Sequence, residues 1–343
     1  MPSLSEREKH ILDILVKTYV STGEPVGSRT VAKSGLDLCA ATVRNSMSDL
    51  EDKGYLSHPH TSAGRIPTDK GYRHYVDELM AQQELTKEVR QLIRKSVEMR
   101  QRDGNIESLL EQVSRVIADV THNLGVALAP GFECGVFQRI EMLRLSESKM
   151  LIVLTIESGL VKTMVIEVDS AIQASELDET NRAINERLSG LSIGEIRKSV
   201  QERLRAISRG SPRLLRLIWE RAETLFNFRG GEDLHLGGTG NFFLQREFSE
   251  DQEGLAALFE FLEKREPIVT ILDERMNSEG ITITIGNEHT SPELRGCSLL
   301  TSRYRVGNVS GLIGVIGPTR IQYANLIPLV EYVAGITEEM LAN

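Results

Sequence analysis

Glycines at positions 23, 35 and 54 divide the start of the chain into three short helical segments, and this spacing constrains the fold more than any other feature. The first segment begins at a capping box, Ser5-Glu6-Arg7-Glu8, in which the Ser and Glu side chains satisfy orphan backbone N–H groups. Glycine ends each segment because it adopts the left-handed conformation of a helix C-terminus at little cost. A short helix over 29–34 capped by Ser28, a turn at 36–38 and a third helix over 40–53 give the layout of a helix-turn-helix.

The third predicted helix has an apolar face and a polar face. Val43, Met47 and Leu50 follow helical spacing and form the predicted buried stripe. The first half of the opposite face is small or carries donors. The second half is acidic, with Asp49, Glu51 and Asp52, and phosphate would repel these carboxylates, so the first half is suited to contact DNA. Three helices of this kind also occur in proteins that never bind DNA, and the helices alone leave both interpretations open. The residues predicted to contact DNA from the second and third helices are Ser28, Arg29, Ala41, Thr42, Arg44, Asn45 and Ser48.

The segment HTSAGRIPTDKGYRHYVD follows the third helix almost directly. Turn residues lie between extended runs at 55–57 and 65–68, which predicts a β-hairpin. A hairpin in this place is a wing, which lies along the phosphate backbone or enters the minor groove. His58-Pro59-His60 has no third ligand nearby in the sequence, so no metal site is predicted. The predicted DNA contacts of this segment are His60, Thr61, Ser62, Arg65, Lys70 and Arg73.

Charge is unevenly distributed along the chain. Residues 1–75 hold ten Lys/Arg and nine Asp/Glu, while the whole chain has a net charge of −9. Any nucleic-acid surface must therefore come from the local placement of charge. No apolar run approaches the roughly 18 residues that span a bilayer, and the N-terminus has no signal-peptide pattern, so a cytoplasmic protein is expected. The three cysteines are far apart and predict neither a disulfide framework nor a metal site.

The rest of the chain reads as strands, then helices, then strands, which predicts an α+β domain interrupted by another domain. Helices are predicted over 84–102, from 106 to about 125, within 175–227 and over 323–341. Strands are predicted over 136–145, 150–156, 160–168, 234–236, 281–285, 298–306 and 311–316. The Gly-rich segment 237–241 lacks the ending of a phosphate loop, and a tight turn explains it. No catalytic residue and no cofactor are predicted, and the chain is not expected to be an enzyme.

Several long motifs resemble one bacterial family in the same order along nearly the whole chain. They are ATVRNSMSDLEDKGYL with PHTSAGRIPTDKGYRHYVD, then HLGGTGNFF, CSLLTSRYRVG and GVIGPTRIQYANLIPLVEYVA. They are similar to the heat-inducible transcription repressor family HrcA. One departure is Cys39-Ala40, where the family usually has two serines. Asp37 is then the candidate for the missing helix cap.

The resemblance implies a multidomain α+β fold and a role. It implies a winged helix-turn-helix domain over 1–80, a linker helix over 81–104, a GAF-like domain over 105–146 and 231–343, and an inserted dimerisation domain over 147–230. It also implies a homodimer that binds an inverted repeat in double-stranded operator DNA, represses chaperone operons and is controlled by a chaperonin. No membrane partner is expected.

Three alternatives are open at this point. The GAF-like body could make the chain a small-molecule sensor with DNA binding secondary. The repressor could sense heat by its own unfolding, without a chaperonin. The helical segment could be an interaction module that does not bind DNA, although cations in the hairpin argue against this because protein-binding surfaces need them less.

Overall fold

The computed structural model describes residues 4–59, 64–81, 83–98, 106–131, 135–146, 148–157, 161–168, 173–226, 233–250, 252–276, 278–307 and 309–342. The chain divides into two compact units. The first comprises 1–127, 235–303 and 312–339, and the second comprises 128–234, 304–311 and 340–343.

The described chain is a mixture of helices and strands, as the predicted α+β class requires. The helices are α1 (Glu6–Thr22), α2 (Ser28–Lys33), α3 (Ala40–Asp52), α4 (Asp69–His74), α5 (Lys87–Glu98), α6 (Ile106–Thr121), α7 (Ala174–Leu188), α8 (Ile193–Arg205), α9 (Pro212–Glu220), α10 (Ala222–Leu225), α11 (Arg246–Glu250), α12 (Gln252–Lys264), α13 (Glu266–Glu274) and α14 (Tyr323–Ala342). The strands are β1 (Leu56–Ser57), β2 (Ile66–Pro67), β3 (Leu124–Gly131), β4 (Phe137–Arg144), β5 (Lys149–Ile156), β6 (Val161–Glu167), β7 (Leu234–Gly237), β8 (Ile281–Ile285), β9 (Cys297–Val306) and β10 (Val309–Pro318).

The first unit begins with α1 to α4 and the β1–β2 hairpin, which we call the head. The predicted capping box is confirmed, since Ser5 and Glu8 exchange side-chain-to-backbone hydrogen bonds, and Gly23 closes α1 with a φ of 69°. The predicted cap at Ser28 is wrong: Gly27 precedes α2 and Ser28 is its first residue. Asp37 does not cap α3 either, because Cys39 occupies the N-cap position.

The core of the head forms where α1, α2 and α3 meet. The predicted stripe of Val43, Met47 and Leu50 is buried, and it packs with Ile11, Leu12, Leu15, Val16 and Val31. Burying one such side chain stabilises the fold by about 1.5–3 kcal/mol. The predicted hairpin is also confirmed, because β1 and β2 pair antiparallel with Leu56 opposite Pro67. These contacts fix α3 against the hairpin.

The five-stranded sheet has the order β7-β3-β10-β9-β8. Consecutive residues along β9 and β10 are buried, which is the pattern of strands covered on both faces. The strand β3 was missed by the sequence analysis, which extended the preceding helix to about Gly125. Glycine is required there, since a Cβ on Gly125 would lie 2.0 Å from the Ser114 carbonyl oxygen of α6. Helix α6 therefore packs closely on the sheet.

The second unit contains an antiparallel sheet in the order β4-β5-β6 and the helices α7 to α10. One face of this sheet is buried, and its residues alternate with those of the other face along β5. Two Asn side chains of α7 cover the outer edge of β4. Asn185 bonds to the N–H and C=O of Ile140, and Asn181 bonds to those of Met142. That edge is therefore closed to another strand.

Candidate nucleic-acid interface

The face of α3 opposite its buried stripe is exposed to solvent. Ala41, Arg44, Asn45 and Ser48 are exposed, and Thr42 is half-buried. All five were predicted to contact DNA, and the helical spacing brings them onto one side of the head. In α2, Arg29 is exposed, whereas Ser28 is 9% exposed and presents little surface to a ligand.

Two cations of this surface have no ion-pair partner among the residues that the structure describes. Among the described residues, no carboxylate lies within ion-pair distance of Arg29 or Arg44, and neither side chain has a hydrogen-bond partner. The Asn45 amide is equally unpaired in the described chain. Such donors are available to phosphate oxygens and to base edges, because an Arg fork fits guanine and an Asn amide fits adenine.

The N-terminus of α3 is open as well. Its N-cap, Cys39, makes no cap hydrogen bond, and the Cys39 Sγ lies 3.2 Å from the Thr42 hydroxyl. That hydroxyl and the neighbouring backbone N–H groups lower the pKa of the exposed Cys39 thiol. The first-turn N–H groups carry partial positive charge, so this end of the helix favours an anion such as a phosphate.

The hairpin cation Arg65 is held by the helix that it follows. Its Nε donates to the Glu51 carboxylate at 2.8 Å, and its Nη1 lies 2.8 Å from His58 Nδ1. The His58 Nε2 lies 3.3 Å from the same carboxylate. Glu51, which the sequence analysis counted as an acid that repels DNA, therefore positions the base of the hairpin. The predicted contacts His60, Thr61 and Ser62 lie outside the described residues.

The other two predicted cations have different surroundings. Lys70 is exposed, donates to the Lys53 carbonyl at 2.6 Å and lies 4.3 Å from the centre of the Tyr55 ring. Arg73 instead points to the turn that follows β8, where it pairs with Glu288 through Nε at 2.8 Å and Nη2 at 2.5 Å. DNA contact by Arg73 stays a prediction, and any such contact competes with this ion pair.

The described residues contain no cluster of three His, Cys, Asp or Glu side chains suited to a metal ion. No helix in the described ranges combines the length and the hydropathy of a membrane span. Sequence reasoning missed Glu51, His58 and Glu288 as partners of the predicted cations. For Glu288 no local signal exists, because 215 positions separate it from Arg73.

Comparison with known proteins identifies the family. Residues 107–327 match the family described as HrcA protein C terminal domain. Heat-inducible transcription repressors HrcA from Geobacter sulfurreducens and Chlorobium chlorochromatii are 39% and 35% identical; the first covers 99% of both chains, and the second covers 99% of this chain and 98% of its own. A crystal structure titled as that of a hypothetical protein shares the fold, with a TM-score of 0.59 at 24% identity over 99% of each chain.

The matched region of the family model covers more than half of the chain, and the relatives span nearly all of it. The motifs named above lie in both the head and the sheet, so the likeness is not confined to one domain. The chain therefore belongs to the HrcA family of heat-inducible transcription repressors, which are not enzymes.

Proposed function

We propose that the chain is a homodimeric repressor of chaperone operons that binds an inverted-repeat operator through a winged helix-turn-helix domain over 1–80. One observation carries the DNA-binding part: the exposed N-terminal half of α3 presents Arg44 and Asn45 without partners in the described chain. Recognition helices make their base contacts with this half. Arg29, Thr42 and Ser48 lie beside them and are suited to phosphate oxygens.

The hairpin serves as the wing. Its base is fixed by the pairing of β1 with β2 and by the ion pair of Arg65 with Glu51. The Arg65 side chain is 16% exposed, so contact with a phosphate competes with this ion pair. Lys70 adds an exposed cation next to it. His60, Thr61 and Ser62, which lie between the two strands in the sequence, complete the proposed contacts with the DNA backbone.

The remaining domains connect and pair the heads. We assign 81–104 to a linker helix, 105–146 with 231–343 to a GAF-like domain, and 147–230 to an inserted dimerisation domain. The protein acts in the cytoplasm, where the operator is accessible. A palindromic operator matches a two-fold dimer, and each half-site then receives one recognition helix.

An apolar sheet face in the second unit supports dimerisation through the inserted domain. Leu143, Val161 and Val165 are 48%, 57% and 54% exposed, although they are large apolar residues. Leu143 and Val165 flank Leu151 in register, which makes a continuous apolar row across three strands. Contiguous exposed apolar surface of this kind marks a protein interface. Because Asn181 and Asn185 close the β4 edge, this face and the β6 edge are where we place the second protomer.

Control by a chaperonin is consistent with the topology. Strand β3 pairs with β10, although residues 132–308 separate them in the chain. Such non-local pairing slows folding and leaves apolar surface exposed on the way. The amount of active repressor then depends on chaperonin supply, and heat lowers it when other unfolded proteins occupy the chaperonin. Mass action gives the sign, since whatever sustains the native dimer increases repression.

The alternative of a small-molecule sensor has one observation in its favour. A cavity of about 470 Å³ in the first unit is lined by Val20, by linker residues from Gln83 to Val89, and by residues from Pro318 to Leu329. This volume is within the range of ligand pockets, which is about 300–1,000 Å³. If the chain is a small-molecule sensor, its affinity for the operator should change when a cellular metabolite is added at fixed temperature and salt concentration.

Footprinting with purified protein tests the proposal. We expect protection of one inverted repeat upstream of a chaperone operon, with equal protection of its two halves. At constant temperature, added chaperonin should raise occupancy and an unfolded competitor protein should lower it again. If operator occupancy changes with neither addition and falls only on heating, the result would favour the alternative in which the repressor senses heat by its own unfolding. The absence of a protected site on any chaperone promoter would refute the proposal.

A further inference from the structure

Charged residues of α4 contact the turn that follows β8, and both elements belong to the first unit. Asp69 Oδ2 accepts hydrogen bonds from the Asn287 backbone N–H at 2.8 Å and from its Nδ2 at 2.7 Å. Arg73 holds both carboxylate oxygens of Glu288, and its Nη2 also donates to the Ile283 carbonyl at 2.8 Å. We call Asp69, Arg73, Asn287 and Glu288 the clamp.

The turn is shaped to receive α4. Gly286 has a φ of 54°, and a Cβ at this position would lie 2.2 Å from the Asp69 carboxyl carbon, so only glycine allows the approach. Glu288 also accepts from the Ile285 N–H at 2.8 Å, which orients its carboxylate toward Arg73. Burial raises the pKa of Glu288, but the hydrogen bonds from Arg73 and the Ile285 N–H outweigh it and keep the pKa below its usual range.

The head is held at a second place, at the end of α1. Arg320 donates to the Val20 carbonyl at 3.1 Å while its Nε pairs with Glu247 at 2.5 Å. Between the two places, the buried rings of Tyr72 and Tyr323 lie 6.0 Å apart. Contacts at separated points resist rotation of the head, which a single tether would allow.

We infer that the clamp fixes the orientation of the head for operator binding, so that Asp69 and Arg73 are positioning residues rather than DNA contacts. This inference rests on the proposed function. The half-sites of a palindrome have a fixed spacing, and the two heads of a dimer must match it together. A head that turns freely on its linker spends little time in the matching orientation, which lowers the effective concentration of the second recognition helix.

The clamp is tested with two duplexes: the full inverted repeat that the wild-type protein protects, and a single half-site of it. Arg73→Ala and Glu288→Ala should each weaken binding to the full repeat by about tenfold or more, because avidity is lost. Binding to the half-site should stay within about twofold, because one head needs no partner in register. The charge-swapped double variant, Arg73→Glu with Glu288→Arg, restores the ion pair but not the hydrogen bonds to the Ile283 carbonyl and from the Ile285 N–H, so it should recover only part of the binding to the full repeat.

A pair of glycines on either side of β8 gives a matched control. Gly280 has a φ of 69° with open space around its Cβ position, whereas Gly286 faces Asp69. Gly280→Ala and Gly286→Ala therefore introduce similar backbone strain, and only the second displaces the clamp. Hydrogen exchange at the Asn287 backbone N–H reports displacement of the clamp in the absence of DNA. We expect faster exchange in Gly286→Ala than in Gly280→Ala, and weaker binding to the full repeat in the first variant only.

Four results would overturn the inference. If Arg73→Ala weakens binding to both duplexes with a shallower salt dependence while Glu288→Ala has no effect, Arg73 contacts phosphate. If the clamp variants bind the full repeat more tightly, the clamp holds the head away from DNA. If the wild-type protein protects no duplex, the proposed function fails and the positioning role fails with it. If the wild-type protein binds the full repeat and Glu288→Ala binds it equally well, only the positioning role is refuted.

Discussion

Replacing Arg44 by Ala should remove operator affinity and leave the fold intact. The side chain is exposed and has no partner in the described chain, so the substitution breaks no internal contact. Ala also has the higher helix propensity, and the free energy of unfolding should change by less than about 0.5 kcal/mol. Loss of one bidentate contact to a base costs about 1–3 kcal/mol, which is a decrease in affinity of about 5- to 150-fold.

Fluorescence anisotropy with a labelled operator duplex measures this loss, and far-UV circular dichroism with urea unfolding checks the fold. Arg7→Ala is a matched control, because Arg7 is an exposed Arg on α1 outside the proposed contacts. Asn45→Ala should lose affinity over the same range. The reasoning is wrong if both α3 variants bind as tightly as the wild-type protein, or if Arg7→Ala loses as much as Arg44→Ala.

Three further outcomes are expected. Arg65→Ala should weaken binding to all duplexes and make the slope of log K against log salt about one unit shallower; a change in sequence preference alone would instead assign Arg65 to a base. Asn185→Ala should lower the free energy of unfolding in urea by about 2–4 kcal/mol, because the N–H and C=O of Ile140 both lose their partner. An unchanged urea midpoint would contradict the claim that Asn185 stabilises the edge of β4. Burial, followed by the charge of Arg275, lowers the pKa of His289 to about 4, so the contribution of this neutral imidazole to stability is complete above pH 6.5 and falls as pH decreases toward 4. Over this range the wild type should lose about 2 kcal/mol more of its free energy of unfolding than His289→Gln.

The sequence predicted features that depend on neighbouring residues. The capping box at Ser5, the closure of α1 by Gly23 and the buried stripe of α3 follow from local rules of helix geometry, and the structure has all of them. The caps of α2 and α3 were predicted wrongly, because the N-cap positions fall at Gly27 and Cys39, which make no side-chain cap hydrogen bond.

Features that depend on distant residues were not predictable from sequence patterns. Strand β3 lacks alternation because both of its faces are covered, so its first residues were read as the end of a helix and the rest was not assigned to any element. Arg73 looked like a wing cation because it stands near Lys70, but its partner Glu288 is brought to it only by the tertiary fold. Glu51 looked unfavourable for DNA binding because its pairing with Arg65 is invisible until the hairpin forms.

The stoichiometry of the operator complex tests the central claim most directly. Sedimentation of purified protein with a duplex that carries one inverted repeat gives the number of protomers bound, and titration with salt gives the electrostatic part of the affinity. The account predicts two protomers on each repeat, bound together, with affinity that falls steeply as salt rises. A single protomer that occupies the whole repeat at high affinity, or binding that does not respond to salt, would contradict it.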